Sequence, residues 1–341
     1  MTMRRVFLFL ASFVLGVFLI ALLIRVGKIN LRLTLLQLQS VSRFAFVKLV
    51  LLNGLLVYLS TKKWRSLDAA WRHSSDSVPS WITSFAVTSA GMALGLVLPV
   101  QIGMAAARTL GTYVHGRPLK RGTAGTLYEQ SFDLLVVVFL AVASGATWFY
   151  RGGALMWIVS ATAMTALALL AVGPSVGLIQ RLAKSYNART AAPRNRILRS
   201  LWELQHSRLL NAGLARRLVV LSTVRFGVVV LMAGQTAEAI HANIPLWHMA
   251  AAMPFVVIAT VLAVTPGGIG VNELTSATAL KLFGTPLSVA ADWSLANRIL
   301  VTASCFAVLA CAVLIQVVEK SAAPGAGVTK GEMTAEGNLE S

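Results

Sequence analysis

The chain has 341 residues, 57% hydrophobic and 12% charged, with a mean hydropathy of +0.74. Soluble domains carry about a quarter charged residues, so this composition excludes an ordinary soluble fold and points to an all-α, polytopic integral membrane protein. The net charge of +18 is spread over short loops between apolar runs, which marks topology and argues against a nucleic-acid partner.

A membrane helix needs about 20 mostly apolar residues. In chain order the candidates are 6–24, 44–60, 81–99, 131–149, 154–173, 218–237, 246–265 and 293–317, with weaker apolar segments at 102–115 and 268–283. The first has 19 residues without a charge and no small-x-small cleavage pattern before Arg25, so it reads as a span and not as a removed signal. Arg4 and Arg5 assign the N-terminus to the cytoplasm, and Lys62, Lys63, Arg65 and Arg72 assign the end of the second span there. From Arg181 to Arg217, nine basic residues face a single acid, Glu203, which makes that segment cytoplasmic too. These assignments agree only if 81–115 is a hairpin open to the cytoplasm and 246–283 a hairpin open to the outside, with Lys320 back inside. The expectation is therefore about 8 spans with two re-entrant or broken-helix hairpins in inverted repeats. The halves are about 1–150 and 151–318 of one membrane domain, with 187–200 a basic linker and 319–341 a disordered cytoplasmic tail. Arg25, Lys28 and Arg32 fall on the outer face against the charge rule and would have to snorkel.

Each hairpin carries a copy of one motif. Pro99-Val-Gln-Ile-Gly103 precedes Gly116-Arg-Pro118 and Gln130, and Pro266-Gly-Gly-Ile-Gly270 precedes Gly284-Thr-Pro286 and Arg298. The interval from Pro118 to Gln130 is twelve, as is that from Pro286 to Arg298, and the copies are offset by 167 or 168 residues. Proline and glycine interrupt helices. Paired interruptions in two halves point to a binding site near the midplane of an alternating-access transporter.

Ionisable side chains inside spans are costly and mark function. Glu129 and Asp133 lie four apart on one helix face, Arg225 is mid-span, Glu273 and Lys281 are in the second hairpin, and Arg298 opens the last span. Lys48 and Arg108 are placed nearer the interfaces. Glu273 follows three glycines whose backbone N–H groups are expected to be free for an anion. Its carboxylate either binds a cationic headgroup or caps its own helix. Arg225 calls for an internal partner, Glu273 or Asp133. Cys305 and Cys311 are six apart on different faces, which gives neither a disulfide nor a metal site. No hydrolase, zincin, thiol-redox or phosphate-loop motif is present, so neither an enzyme nor a cofactor is expected.

With PGGIGVNE at 266–273, the Gly284-Thr285-Pro286 turn and Asn297-Arg298 heading a span, the sequence resembles the flippase-like transmembrane family. This is the membrane region of lysylphosphatidylglycerol synthases, found also as stand-alone proteins. Leu98, Pro99, Gly103, Glu129, Gln130 and Asp133 repeat the pattern in the first copy, and the likeness covers about 1–318. It implies translocation of a lipid, an anionic or aminoacylated phospholipid or a lipid-linked sugar, across the cytoplasmic (inner) membrane. A non-transporting scaffold for an envelope-lipid or glycolipid enzyme is the alternative. Lysyl transfer is not implied, because the soluble aminoacyl-transfer domain is lacking. The family commonly has arginine where Gln101 and Gln130 stand and near Ala107, and an acid at Met104. The first hairpin therefore reads as charge-depleted, a gate or scaffold, and the second as the site. The substrate-binding candidates are Glu273, Arg298, Arg225, Glu129, Asp133, Gly267, Gly268 and Gly270, with Pro99, Gly103 and Pro266 as hinges.

Overall fold

A computed structural model describes residues 3–70, 79–114, 119–187, 211–263 and 265–322. The regular structure among them is helical. In order come α1 (Met3–Gly27), α2 (Leu31–Gln39), α3 (Arg43–Ala70), α4 (Trp81–Leu94), α5 (Val100–Val114) and α6 (Leu119–Phe149). They are followed by α7 (Ala154–Asn187), α8 (Ala212–Ala239), α9 (Leu246–Leu262), a 3-10 turn at Pro266–Gly268, α10 (Val271–Leu282) and α11 (Leu287–Ala322).

Among the described residues five helices are long and apolar enough to cross a bilayer, within 43–70, 122–149, 154–178, 212–239 and 287–319. A bent pair, 11–27 with 31–39, would make a sixth. The expected spans 81–99 and 246–265 are instead helices of 14 and 17 residues. At about 1.5 Å per residue these fall short of a hydrocarbon core of about 30 Å. The long helices overrun their apolar stretches, so Lys62, Lys63 and Arg65 belong to α3 and not to a loop. Arg72, the Gly116-Arg-Pro118 turn, most of the basic linker and residues 323–341 lie outside the described residues.

The expected first span, 6–24, lies without a break within α1, and the chain bends sharply after it. Lys28 takes a left-handed backbone (φ 52°), Asn30 caps α2 by accepting from the N–H groups of Arg32 and Leu33, and the two helix axes differ by 98°. Arg25 lies in the last turn of α1, Lys28 at the bend and Arg32 in the first turn of α2, so the three basic residues gather at this corner. Thr34 of α2 donates to Asp292 Oδ1 (3.2 Å) and ties this corner to the start of α11.

The interior is built of small side chains: Ala143, Ala215, Ala251, Ala252, Ala277, Ala290, Ala291 and Ala296 are all fully buried. Small residues let membrane helices approach closely, where apolar side chains gain nothing over lipid. The arrangement is reciprocal. α4 packs on α5 and on α11, α9 packs on α10 and on α6, and α3 packs along α8.

Candidate functional site

The Pro-Gly motifs lie at the tips of two antiparallel helix pairs. In the first, a Cβ built on Gly103 would meet the backbone of Gly95, one on Gly91 would meet Ala107, and one on Gly111 would meet Val87. Each contact is symmetric about residue 99. In the second, Thr260 donates to Asn272 Oδ1 (2.7 Å) and His248 lies beside Gly284, both symmetric about residue 266. Pro99 and Pro266 thus mark the turning points of their pairs.

The two tips touch. Gly267 N–H donates to the Leu98 carbonyl (3.2 Å), and a Cβ on Gly267 would lie 2.1 Å from the Leu96 carbonyl oxygen. With φ at +57° as well, only glycine fits there. The glycine N–H groups expected to be free for an anion are taken. Gly267 donates to Leu98, Gly268 to Thr265 (2.9 Å), and Gly270 to Glu273 Oε2 (2.6 Å). The carboxylate of Glu273 occupies the place an anion would take, so the glycines serve backbone shape and close approach.

Glu273, buried at 2% exposure, caps α10 in this way and also faces Arg298 Nε (Oε1–Nε 3.7 Å). Arg298 in turn donates from Nη1 to the Gly267 carbonyl (2.9 Å). Both residues line a cavity of about 250 Å³ with polar neighbours Thr260, Asn272, Ser276 and Asn297. The opposite wall is apolar, with Leu56, Val229, Met232, Met253 and Val257. Asn297 Oδ1 is buried without a hydrogen-bond partner among the described residues, and such an acceptor is costly unless something donates to it.

A second ionic group sits where α3, α5, α6 and α8 meet. Lys63, fully buried, reaches Asp133 Oδ1 (2.5 Å) and Glu129 Oε1 (3.5 Å). Arg108, also fully buried, pairs with Glu129 Oε2, donates to the Ser60 carbonyl (3.2 Å) and lies over the Trp64 ring. Arg225 donates to Asp133 Oδ2 (3.3 Å) and to Ser60 Oγ (3.2 Å). Three cations against two carboxylates leave one positive charge in excess, and the most exposed member, Arg225, has 27% of its side chain accessible. Leu56 and Val229 of the cavity wall are each one helical turn from Ser60 and Arg225, so the cavity and this ionic group adjoin along the α3/α8 seam.

A comparison with protein families matches residues 9–311 to the lysylphosphatidylglycerol synthase TM region. The chain belongs to this family. Comparisons with curated proteins and with solved structures each returned no match. Membership of the lysylphosphatidylglycerol synthase TM family, together with the multi-helix membrane architecture, supports a lipid-translocation role for this multi-pass membrane protein.

Of the candidates, Glu273, Arg298 and the three glycines gather at the second tip, and Glu129, Asp133 and Arg225 at the ionic group. Of its two expected partners Arg225 takes Asp133, while Glu273 faces Arg298. Pro99 and Pro266 sit at the turns, and Gly103 lies in the first turn of α5, close against the backbone of Gly95. Arg108 is corrected from an interfacial residue to a fully buried one. The first helix pair therefore keeps a buried cation, Arg108 on α5, next to Ala107 where the resemblance implies an arginine. Lys63 was missed. Its signal lay in Glu129 and Asp133, two acids on one buried face that needed more cation than Arg225 supplies. Lys48 meets Glu238 in an exposed pair (3.9 Å), and Lys281 is exposed.

Proposed function

We propose that the chain translocates a phospholipid or lipid-linked sugar across the cytoplasmic membrane, its headgroup passing through the cavity between the two tips. The observation that carries this reading is the accessible Arg298 guanidinium at a small, largely apolar cavity, with the unpartnered amide oxygen of Asn297 buried in the cavity wall. Arg298 is held from two sides, by Glu273 and by the Gly267 carbonyl, which leaves Nη2 for a phosphate oxygen. Asn297 Oδ1 accepts from a headgroup hydroxyl or ammonium. In this reading Glu273 positions Arg298 and fixes the start of α10.

The two tips belong to inverted halves, with both termini cytoplasmic. The reciprocal pairing of α4 with α11 and α9 with α6 supports this, as do contacts centred on Pro99 and Pro266. Parting the Gly267–Leu98 contact, with α3 and α8 sliding on each other, exposes the cavity alternately to the two faces. Glu129, Asp133 and Arg225 form a second polar station beside it. The test is flipping of a fluorescent phospholipid in proteoliposomes, read by dithionite bleaching. Arg298→Ala is expected to abolish flipping while the protein stays folded, and Glu273→Gln to reduce it. Unchanged rates in both variants would overturn the site, and no flipping by the wild type would favour the scaffold alternative.

A further inference from the structure

The α3/α8 seam has a third charged feature, outside the cavity and outside the ionic group. At one end of the seam is a pocket of about 360 Å³ lined by Tyr58, Lys62, Arg65, Asp68, Trp81 and Arg217. Three cations face a single carboxylate, and among the described residues no carboxylate pairs with Lys62 or Arg217. Arg65 is fixed by the Pro79 carbonyl (2.8 Å) and Ser84 Oγ (3.2 Å) and lies over the Trp81 ring, while Lys62 lies over Tyr58. Cations stacked beside tyrosine and tryptophan at the end of a spanning helix are the furniture of the membrane–water boundary.

The position of the pocket gives it a role. Arg225 meets Ser60 (3.2 Å) and Lys48 meets Glu238 (3.9 Å), so α3 and α8 run antiparallel. From the pocket at Arg217 it is eight residues along α8 to Arg225 and four more to Val229 of the cavity. These steps are about 12 Å and about 6 Å. On α3 the pocket residues Tyr58, Lys62, Arg65 and Asp68 share one stretch of helix with Ser60 and Lys63 of the ionic group, on different faces, and Leu56 of the cavity is one turn beyond Ser60. Along α8 the cationic pocket, the ionic group and the cavity thus follow one another, while on α3 the pocket and the ionic group lie side by side.

We propose that this pocket docks the phosphodiester of a membrane phospholipid, with Lys62 and Arg217 as the contacting cations and Arg65 shaping the wall. The membrane source is favoured over free phosphate by Tyr58 and Trp81 in the lining and by the exposed Leu55 one turn before the pocket. Binding here stands on the pocket alone; its role as the loading station of the seam rests on the translocation reading.

The test is native mass spectrometry of the full chain in a neutral detergent, titrated with phosphatidylglycerol, with diacylglycerol and with inorganic phosphate. The wild type is expected to retain phosphatidylglycerol, and Lys62→Ala/Arg217→Ala to weaken that binding by about tenfold or more, since a hydrogen bond to a charged group contributes enough for a tenfold change. Lys62→Gln/Arg217→Gln, which keeps side-chain bulk, serves if the alanine pair folds poorly and is expected to show the same loss. Equal retention by the wild type and both double variants overturns the proposal. So does equal retention of diacylglycerol, which lacks the phosphate, or binding of inorganic phosphate without the lipid. Phosphatidylglycerol binding that is lost in the double variants, in a protein that flips nothing, supports the docking site and removes the translocation reading instead.

Discussion

Asp133 holds the ionic group together, and its removal gives the sharpest energetic test. Lys63 lies 2.5 Å and Arg225 3.3 Å from its two oxygens. At an effective dielectric of about 20 the raw attractions are about 7 and about 5 kcal/mol. Desolvation of several kcal/mol per ion offsets much of this, so losing one partner of a buried pair costs about 3–5 kcal/mol. Asp133→Asn leaves Lys63 with Glu129 alone and Arg225 with Ser60 alone, and raises the excess of positive charge from one to two. Lys63→Met is milder, because Glu129 keeps Arg108 and Asp133 keeps Arg225. Equilibrium unfolding in mixed micelles should show Asp133→Asn destabilised by about 3 kcal/mol or more. The double variant should be more stable than the sum of the single losses by about 2 kcal/mol, as for residues in one network. Additive losses, or a harmless Asp133→Asn, would refute the reasoning.

Two further substitutions probe the tips. Gly267→Ala forces a left-handed backbone costing about 1–2 kcal/mol and places Cβ against the Leu96 carbonyl 2.1 Å away, so the midpoint of thermal aggregation should fall and flipping should fail; an unaltered protein would contradict the contact between tips. Gly91→Cys with Ala107→Cys, in a background with Cys305 and Cys311 changed to alanine, should close a disulfide on oxidation. The Cβ separation of 3.2 Å needs only a small opening to reach the usual 3.5–4.5 Å or so. Protection of both thiols from polyethylene-glycol maleimide reports closure, and full labelling would deny the antiparallel pairing.

Much of this was legible in the sequence because it depends on local chemistry. Pro99 and Pro266, each set in a glycine-bearing motif, mark the two breaks about which the contacts are centred, whereas the isolated Pro174 and Pro254 lie within continuous helices. The spacing of Glu129 and Asp133 puts both on one helix face in any tertiary setting. The face a lysine takes is different, because it depends on where the helix ends. Lys62 and Lys63 are neighbours in a run that reads as loop charge, yet α3 continues through them and turns about 100° between them. Lys63 therefore points into the ionic group and Lys62 into the interfacial pocket. The role of Gly267 was half legible: its conformational freedom is intrinsic, but its N–H bond to Leu98 links residues 169 positions apart. The burial of Arg108 was hidden for the same reason, since its partner Glu129 lies on the next helix.

The central claim is that a headgroup cavity opens alternately to the two faces of the membrane. Ser276, buried at 5% exposure in the wall of the cavity, can report this as Ser276→Cys in the same cysteine-free background. A membrane-impermeant methanethiosulfonate applied to right-side-out and to inverted vesicles should modify the thiol from either face, and added phospholipid substrate should slow both reactions. Modification from one face only, or from neither, would contradict the account.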